Sequence, residues 1–308
     1  MTRCQGADTI LLPMHKSPSA ILPQAARCLA VAVIVPVLLC AVHSNGLAAG
    51  AAKARKILAR AEQIRNPGLD YSVELRLEVT DPTTHWKERT AAYAMIAHGK
   101  DYSLIMMREP RAFYSGTLLI DRGFYWLLLP RAQKAIQLAA RQVLRGDIAN
   151  GDLARGNLVD HYDPRLDGEE IVREEPCWRL ELTRAQDVAM YKRIRAWITK
   201  KDSRPWKFEY YGETDTLLKT AYYEDYRETA LGVRAMRIVV QNNMRPDEKT
   251  VLTFSDLRRI DASDLDFSRE GMAALRDAAQ KSGAQATIED LLMALTGDKP
   301  EESVGESN

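Results

Sequence analysis

The sequence predicts a mainly β protein with a few helices, built around one strongly curved antiparallel sheet. Three observations carry that prediction. Short apolar-alternating segments follow one another from about residue 71 to about residue 257, separated mostly by two- to four-residue turns rich in Gly, Pro, Asn and Asp. Connections that short imply antiparallel neighbours, because parallel strands need long crossovers. Several segments are apolar on both faces, and a sheet of about a dozen such strands twists and curls.

The order of elements begins before the sheet. Residues 28–42, "CLAVAVIVPVLLCAV", form an uncharged apolar run preceded by Arg27 and followed by small residues, the pattern of a secretory signal. The run is shorter than the roughly 20 residues of a membrane-spanning helix and holds Pro36. We expect cleavage near Ala48 to Ala51, with residues 1–50 as leader, Met1 or Met14 as initiator, and no integral membrane segment afterwards. The leader would take Cys4, Cys28 and Cys40 with it and leave Cys177 alone, so no internal disulfide is expected. It would also take Arg3, Lys16, Arg27 and Asp8, reducing 43 basic and 42 acidic residues to 40 and 41. That balance argues against a nucleic-acid partner, which calls for clustered Lys and Arg.

Ala51–Arg65 reads as an amphipathic helix, with Ile57, Leu58, Ala61 and Ile64 at helical spacing and Asn66-Pro67-Gly68 as its stop. In Tyr71–Thr80, Tyr71, Val73, Leu75, Leu77 and Val79 alternate with polar residues, a half-buried strand. Further strands are expected at Lys87–Ala97, Tyr102–Arg108, Thr117–Asp121, Tyr125–Leu129, Ala135–Ala139, Glu170–Glu175, Cys177–Thr183, Arg193–Thr199, Trp206–Tyr211, Leu217–Arg227, Arg234–Asn242 and Thr250–Leu257. Ala140–Pro164 is polar, Gly- and Asn-rich and longer than a hairpin loop, which suggests a lid. Arg269–Lys281 and Thr287–Thr296 read as helices, and the tail from Gly297 is acidic and of disordered composition. The expected organisation is therefore a main domain over 51–281, then a helix and tail over 282–308.

The segment Phe124–Leu129 sets a problem. As a strand it places Phe124, Trp126 and Leu128 on one face and Tyr125, Leu127 and Leu129 on the other, and both are apolar. Leu104 and Met106 likewise back onto Ile105 and Met107, while Trp206, Phe208 and Tyr210 share a face. Something other than solvent must cover the second face: the helices, a lid or a ligand.

The stretch "DRGFYWLLLPRAQKAIQL" (Asp121–Leu138) resembles the strand, leucine-proline turn and basic return strand of the outer membrane lipoprotein-sorting family, relatives of the LolA carrier. So do "SRPWKFEYYGETDTLLKTAYYEDYRE" (Ser203–Glu228) and "RAMRIVVQNNMRPDEKTVLTFSDLRRIDASDLDFS" (Arg234–Ser268). The likeness spans most of residues 50–280. Two features depart from it: "GDIANGDLARGNL" lacks the family's aromatic, and Glu213-Thr214-Asp215 stands where a glycine is usual.

The resemblance implies an unclosed half-barrel with helices and a loop lid over its concave face, and a periplasmic carrier, a monomer, that holds acyl chains of a lipid or lipoprotein. An inner-membrane transporter complex is the partner such relatives suggest. The alternative is a lipid-sensing regulatory or accessory subunit of an export system. The cavity residues expected are Leu75, Leu77, Leu104, Met106, Trp126, Leu128, Trp206, Phe208, Tyr210, Ile238 and Val240.

No enzyme, cofactor or metal is expected. His85, His98 and His161 form no metal-spaced pair, no nucleophile-elbow pattern occurs, Glu169-Glu170 and Glu174-Glu175 flank a hairpin, and Cys177 has no histidine nearby in sequence.

Overall fold

Thirteen strands form one antiparallel sheet that closes on neither side. The computed structural model describes residues 49–80, 88–139, 143–145, 148–149, 157–187, 189–283 and 286–296, within one compact unit that spans 49–308. The expected leader and acidic tail, and His85, lie outside the described residues.

Helix α1 covers 49–65. The strands are β1 (Tyr71–Thr80), β2 (Glu88–His98), β3 (Tyr102–Glu109), β4 (Thr117–Asp121), β5 (Phe124–Leu128) and β6 (Ile136–Leu138). A separate two-stranded ribbon, β7 (Val143–Arg145) and β8 (Ile148–Ala149), and the short helix α2 (Leu158–His161) come next. The second half holds β9 (Tyr162–Val172), β10 (Glu175–Arg184), β11 (Arg193–Thr199), β12 (Pro205–Tyr211), β13 (Leu217–Thr229), β14 (Gly232–Asn242) and β15 (Lys249–Arg259). Helices α3 (Arg269–Ser282) and α4 (Ile288–Leu295) end the described chain.

The strand order is β6-β5-β4-β3-β2-β1-β15-β14-β13-β12-β11-β10-β9, so two meanders meet where β1 pairs with β15. β6 and β9 each have one partner and form the edges. β9 starts well before the strand expected at Glu170–Glu175, which is in fact two strands and a turn. Pro164 concealed it, yet an edge strand tolerates proline because the missing N–H faces away from the ladder. Arg173 (φ 47°) and Glu174 (φ 67°) form the turn to β10, both in the left-handed conformation that matches hairpin twist.

The sheet is buried on both sides by two separate cores. In β2, Ala91, Tyr93, Met95 and Ala97 join Val73, Leu75, Leu77, Ile105, Leu118, Ile120 and Tyr125 on the inner face. Ala54, Ile57, Leu58 and Ala61 of α1 pack there, so the helix covers part of that face. The alternate residues Ala94 and Ile96 join Leu104, Met106, Leu119 and Leu128 on the outer face, against Met272, Leu275 and Ala279 of α3 and Ile288, Leu291 and Leu295 of α4. Trp126 packs on the same outer core. This resolves the two apolar faces of β5, and it corrects the expectation that all three helices lie over the concave face. α3 and α4 cover the other side. Period-two alternation separates the faces but does not say which helix takes which.

Local chemistry fixes the outer pair. Ser268 caps α3 by accepting from the N–H of Glu270 and of Gly271 (3.1 and 3.3 Å). A Cβ on Gly271 would lie 1.9 Å from the Asp266 carbonyl, so only glycine fits. Thr287 and Asp290 form a reciprocal capping box on α4. Arg108 Nη1 reaches from β3 to the Ala286 carbonyl (2.6 Å), and Arg276 Nη1 to the Ala132 carbonyl (2.8 Å).

Leu291→Ala should therefore destabilise the whole domain by about 2–5 kcal/mol, the usual loss for a buried leucine. Chemical denaturation followed by tryptophan fluorescence measures it; an unchanged midpoint would mean that α4 is only loosely attached.

Candidate functional site

The inner core is incomplete. A cavity of about 290 Å³ remains on the inner face, lined from β1 (Tyr71, Leu75), β2 (Met95), β4 (Ile120), β5 (Tyr125), β9 (Tyr162), β11 (Ile194), β12 (Tyr210), β13 (Ala221, Tyr223), β14 (Ile238, Val240) and β15 (Leu252, Phe254). β5 and β9 lie eleven strand spacings apart in the sheet. At about 4.8 Å per strand a flat sheet would separate them by roughly 50 Å. Tyr125 and Tyr162 nonetheless face one small hollow, so the sheet is curled around it.

Sequence-expected residues divide four ways. Leu75, Tyr210, Ile238 and Val240 line the cavity. Leu77 and Phe208 are buried in the inner core around it without facing it. Leu104, Met106, Leu128 and Trp126 lie on the outer face under α3 and α4, and are removed from the cavity set by one step of strand phase. Trp206 lines a different hollow with Tyr226. Tyrosines were the missed class: Tyr71, Tyr125, Tyr162, Tyr191, Tyr210 and Tyr223 all reach the cavity, and only Tyr210 was expected. The inward phase of Tyr71 with Val73 and Leu75 was the available signal.

Several tyrosines hold each other. Tyr162 donates to the Tyr191 carbonyl and accepts from the Tyr191 N–H, both at 3.1 Å. The Tyr210 and Tyr223 hydroxyls are 3.3 Å apart, and Tyr191 and Tyr210 rings are 4.7 Å apart between centroids. Lys219 Nζ lies 5.2 Å from the Tyr191 ring and 5.3 Å from that of Tyr210. Arg234 lies 5.7 Å from the Tyr71 ring. The cavity wall is therefore apolar in area but carries hydroxyls and two buried cations engaged by aromatic faces.

The mouth is tied by one polar chain. Glu62, at the end of α1, binds Arg65 through both carboxylate oxygens (2.8 and 2.9 Å) and accepts from the Leu158 N–H of α2 (3.3 Å). The Arg65 carbonyl accepts from Arg234 Nη2 of β14 (3.2 Å). Burial works against the charge of Arg65, but the facing Glu62 more than offsets it and holds the guanidinium protonated. Asn157, Leu158, Asp160 and His161 border the cavity beside Lys100, Asp101 and Arg122. Thus Asn157–His161, within the expected lid Ala140–Pro164, does stand at the opening; most of the remainder lies outside the described residues. Burial lowers the pKa of His161, opposed by Asp160 and Glu62.

Among the described residues, no cluster of three or more His, Cys, Asp or Glu could hold a metal, and no helix is long and apolar enough to cross a membrane. Cys177 is fully buried, and that burial, with Glu175 and Glu170 nearby, pushes its thiol up to about 11, far from the thiolate a nucleophile needs.

An unclosed antiparallel half-barrel wrapped around an apolar hollow defines a class of binding scaffold. A LolA superfamily protein from Nitrosomonas europaea superposes with a TM-score of 0.65 at 29% identity, over 70% of this chain and 98% of its own. A DUF1329 family protein from Desulfovibrio piger gives 0.64 at 22% identity over 72% and 99%, and a domain described as outer membrane lipoprotein-sorting from Vibrio parahaemolyticus gives 0.62 at 20% over 72% and 99%. The latter two show the fold alone. A family model described as an uncharacterized protein matches residues 99–274, more than half of the chain. No curated protein matches. The chain belongs to the family described by that model, and its fold is similar to that of the LolA superfamily.

Two outcomes follow from the mouth. Glu62→Gln breaks a buried pair and should cost about 3–5 kcal/mol in unfolding free energy, read by denaturant titration. For His161 the folded pKa is depressed, so the unfolded chain binds more protons and stability falls as pH drops through 6.5. Wild type should lose more stability between pH 7.5 and 5.5 than His161→Gln; equal losses would remove His161 from the mouth's pH response.

Proposed function

We propose that this protein is a periplasmic carrier that takes up acyl chains of a lipid or lipoprotein in its inner cavity and hands them between membranes or partners of the envelope. The observation that carries the reading is the hollow itself, bounded by side chains from ten strands of a sheet whose ladder does not close. A well-packed domain has no reason to leave apolar wall unfilled. Each methylene buried there contributes roughly 0.8 kcal/mol, so a chain binds without a covalent bond. At about 290 Å³ the cavity sits at the small end of the roughly 300–1,000 Å³ range of ligand pockets, so a long chain fills it only in part or widens it.

Release needs a second state with lower affinity. The Glu62–Arg65–Leu158 contacts join α1 and α2 across the opening, and their rupture would supply one. The LolA-superfamily and lipoprotein-sorting relatives support lipoprotein or lipid as cargo and the periplasm as the compartment. An inner-membrane transporter is a fitting donor for such cargo, since acyl chains must be drawn from a bilayer.

Native mass spectrometry of the gently purified periplasmic protein tests the reading: a copurifying lipid is expected. Ile238→Glu, which puts a charge into the cavity wall, should empty it, whereas Trp126→Phe on the outer face should not. A protein that carries no lipid and gains none from mixed phospholipid vesicles would overturn the carrier function.

A further inference from the structure

Beyond the main cavity, a second hollow of about 330 Å³ opens next to Tyr223, which lines both. It is built by two neighbouring irregularities. Trp206 is skipped where β12 pairs with β11, a bulge, and Asp225 of β13 takes φ 53° while the register with β14 is kept. A bulge re-aims the residues that follow it. Here the result is that Tyr223 and Tyr226, three apart, both reach the hollow, and that Trp206 stacks on Tyr226 (6.5 Å between centroids, planes within 15°).

Two arginines complete the wall. Arg173 lies 3.7 Å over the Tyr222 ring and Arg204 4.9 Å over that of Tyr226. A guanidinium stacked on a ring keeps its in-plane N–H donors for a planar anion. Each has five such donors. Arg173 uses Nη1 on Glu224 (2.8 Å) and Arg204 uses Nε on Asp202 (2.9 Å). Counting their immediate ion-pair network, four guanidinium groups (Arg173, Arg204, Arg227, Arg237) meet three carboxylates (Asp202, Glu224, Asp225), which leaves one positive charge in surplus. The main cavity also has cations in its wall, Lys219 and Arg234, and both are engaged there by tyrosine rings.

We propose that Arg173 and Arg204 seat the anionic head, carboxylate or phosphate, of the amphiphile whose chain occupies the main cavity, with Tyr223 as the partition the chain passes. This rests on the acyl-chain reading and narrows it to anionic single amphiphiles. Tyr223 lines both hollows, meeting the Phe208 ring edge-on at 5.1 Å and the Tyr210 hydroxyl at 3.3 Å, so it is the side chain that must move for the two to join.

The test compares palmitate, hexadecan-1-ol and inorganic phosphate by isothermal titration calorimetry on the leader-free protein. Palmitate should bind wild type about ten-fold or more tighter than the alcohol, the scale of a charge-assisted hydrogen bond. In Arg173→Gln/Arg204→Gln that ratio should fall toward one, and Arg204→Lys should restore part of it. A wild-type ratio near one, or a ratio the double variant leaves unchanged, overturns the head seat while the carrier reading stands. Failure of both chains to bind overturns the carrier reading and the seat together. Phosphate that binds without being displaced by palmitate marks a free anion site and overturns the link to the chain.

Discussion

The pairing of β1 with β15 is the contact on which the rest depends. It joins the first strand of the sheet to the last, so neither meander can bury its inner face until the chain has returned across almost 180 residues. Contacts of that separation close slowly and late. Once formed, they place Leu75 opposite Phe254 and Leu77 opposite Leu252, and Leu75, Leu252 and Phe254 line the cavity. Every other cavity residue stands at a distance from this seam set by its strand number.

A sheet with two apolar faces needs two covers, and the chain supplies them from opposite ends. α1 covers the inner face only in part; α3 and α4 cover the outer face at β2–β5. The asymmetry is functional in the proposed reading. The helix pair over β2–β5 provides rigidity there, and the partly covered inner face provides room. The outer helices are held by caps, by Arg108 and Arg276 to backbone carbonyls and by apolar packing. The inner cover is held at its end by the buried polar Glu62–Arg65–Leu158 chain.

Most of the strand list was legible because alternation and turn residues act locally: Tyr71–Thr80, Thr117–Asp121 and Arg193–Thr199 agree with the structure at both ends. β9 was not, because Pro164 reads as a break unless its edge position is known. Half of the cavity was hidden for a different reason. The alternation in β3 and β5 is symmetric, so nothing local distinguishes Leu104, Met106 and Trp126 from Ile105 and Tyr125; only the docking of α3 and α4 does. Trp206 depends on a bulge and Tyr226 follows the left-handed Asp225, and neither leaves a mark in the pattern of apolar residues.

A closed barrel has its radius set by strand number and shear. This sheet has no hydrogen bond between β6 and β9 to impose one, so its radius is an elastic quantity. A change of a degree or two in the twist between neighbours accumulates over twelve interfaces and moves the free margins by ångströms. The volume inside is thereby tuned by backbone compliance as well as by side-chain size, and guests of different girth meet the same wall at different curvature.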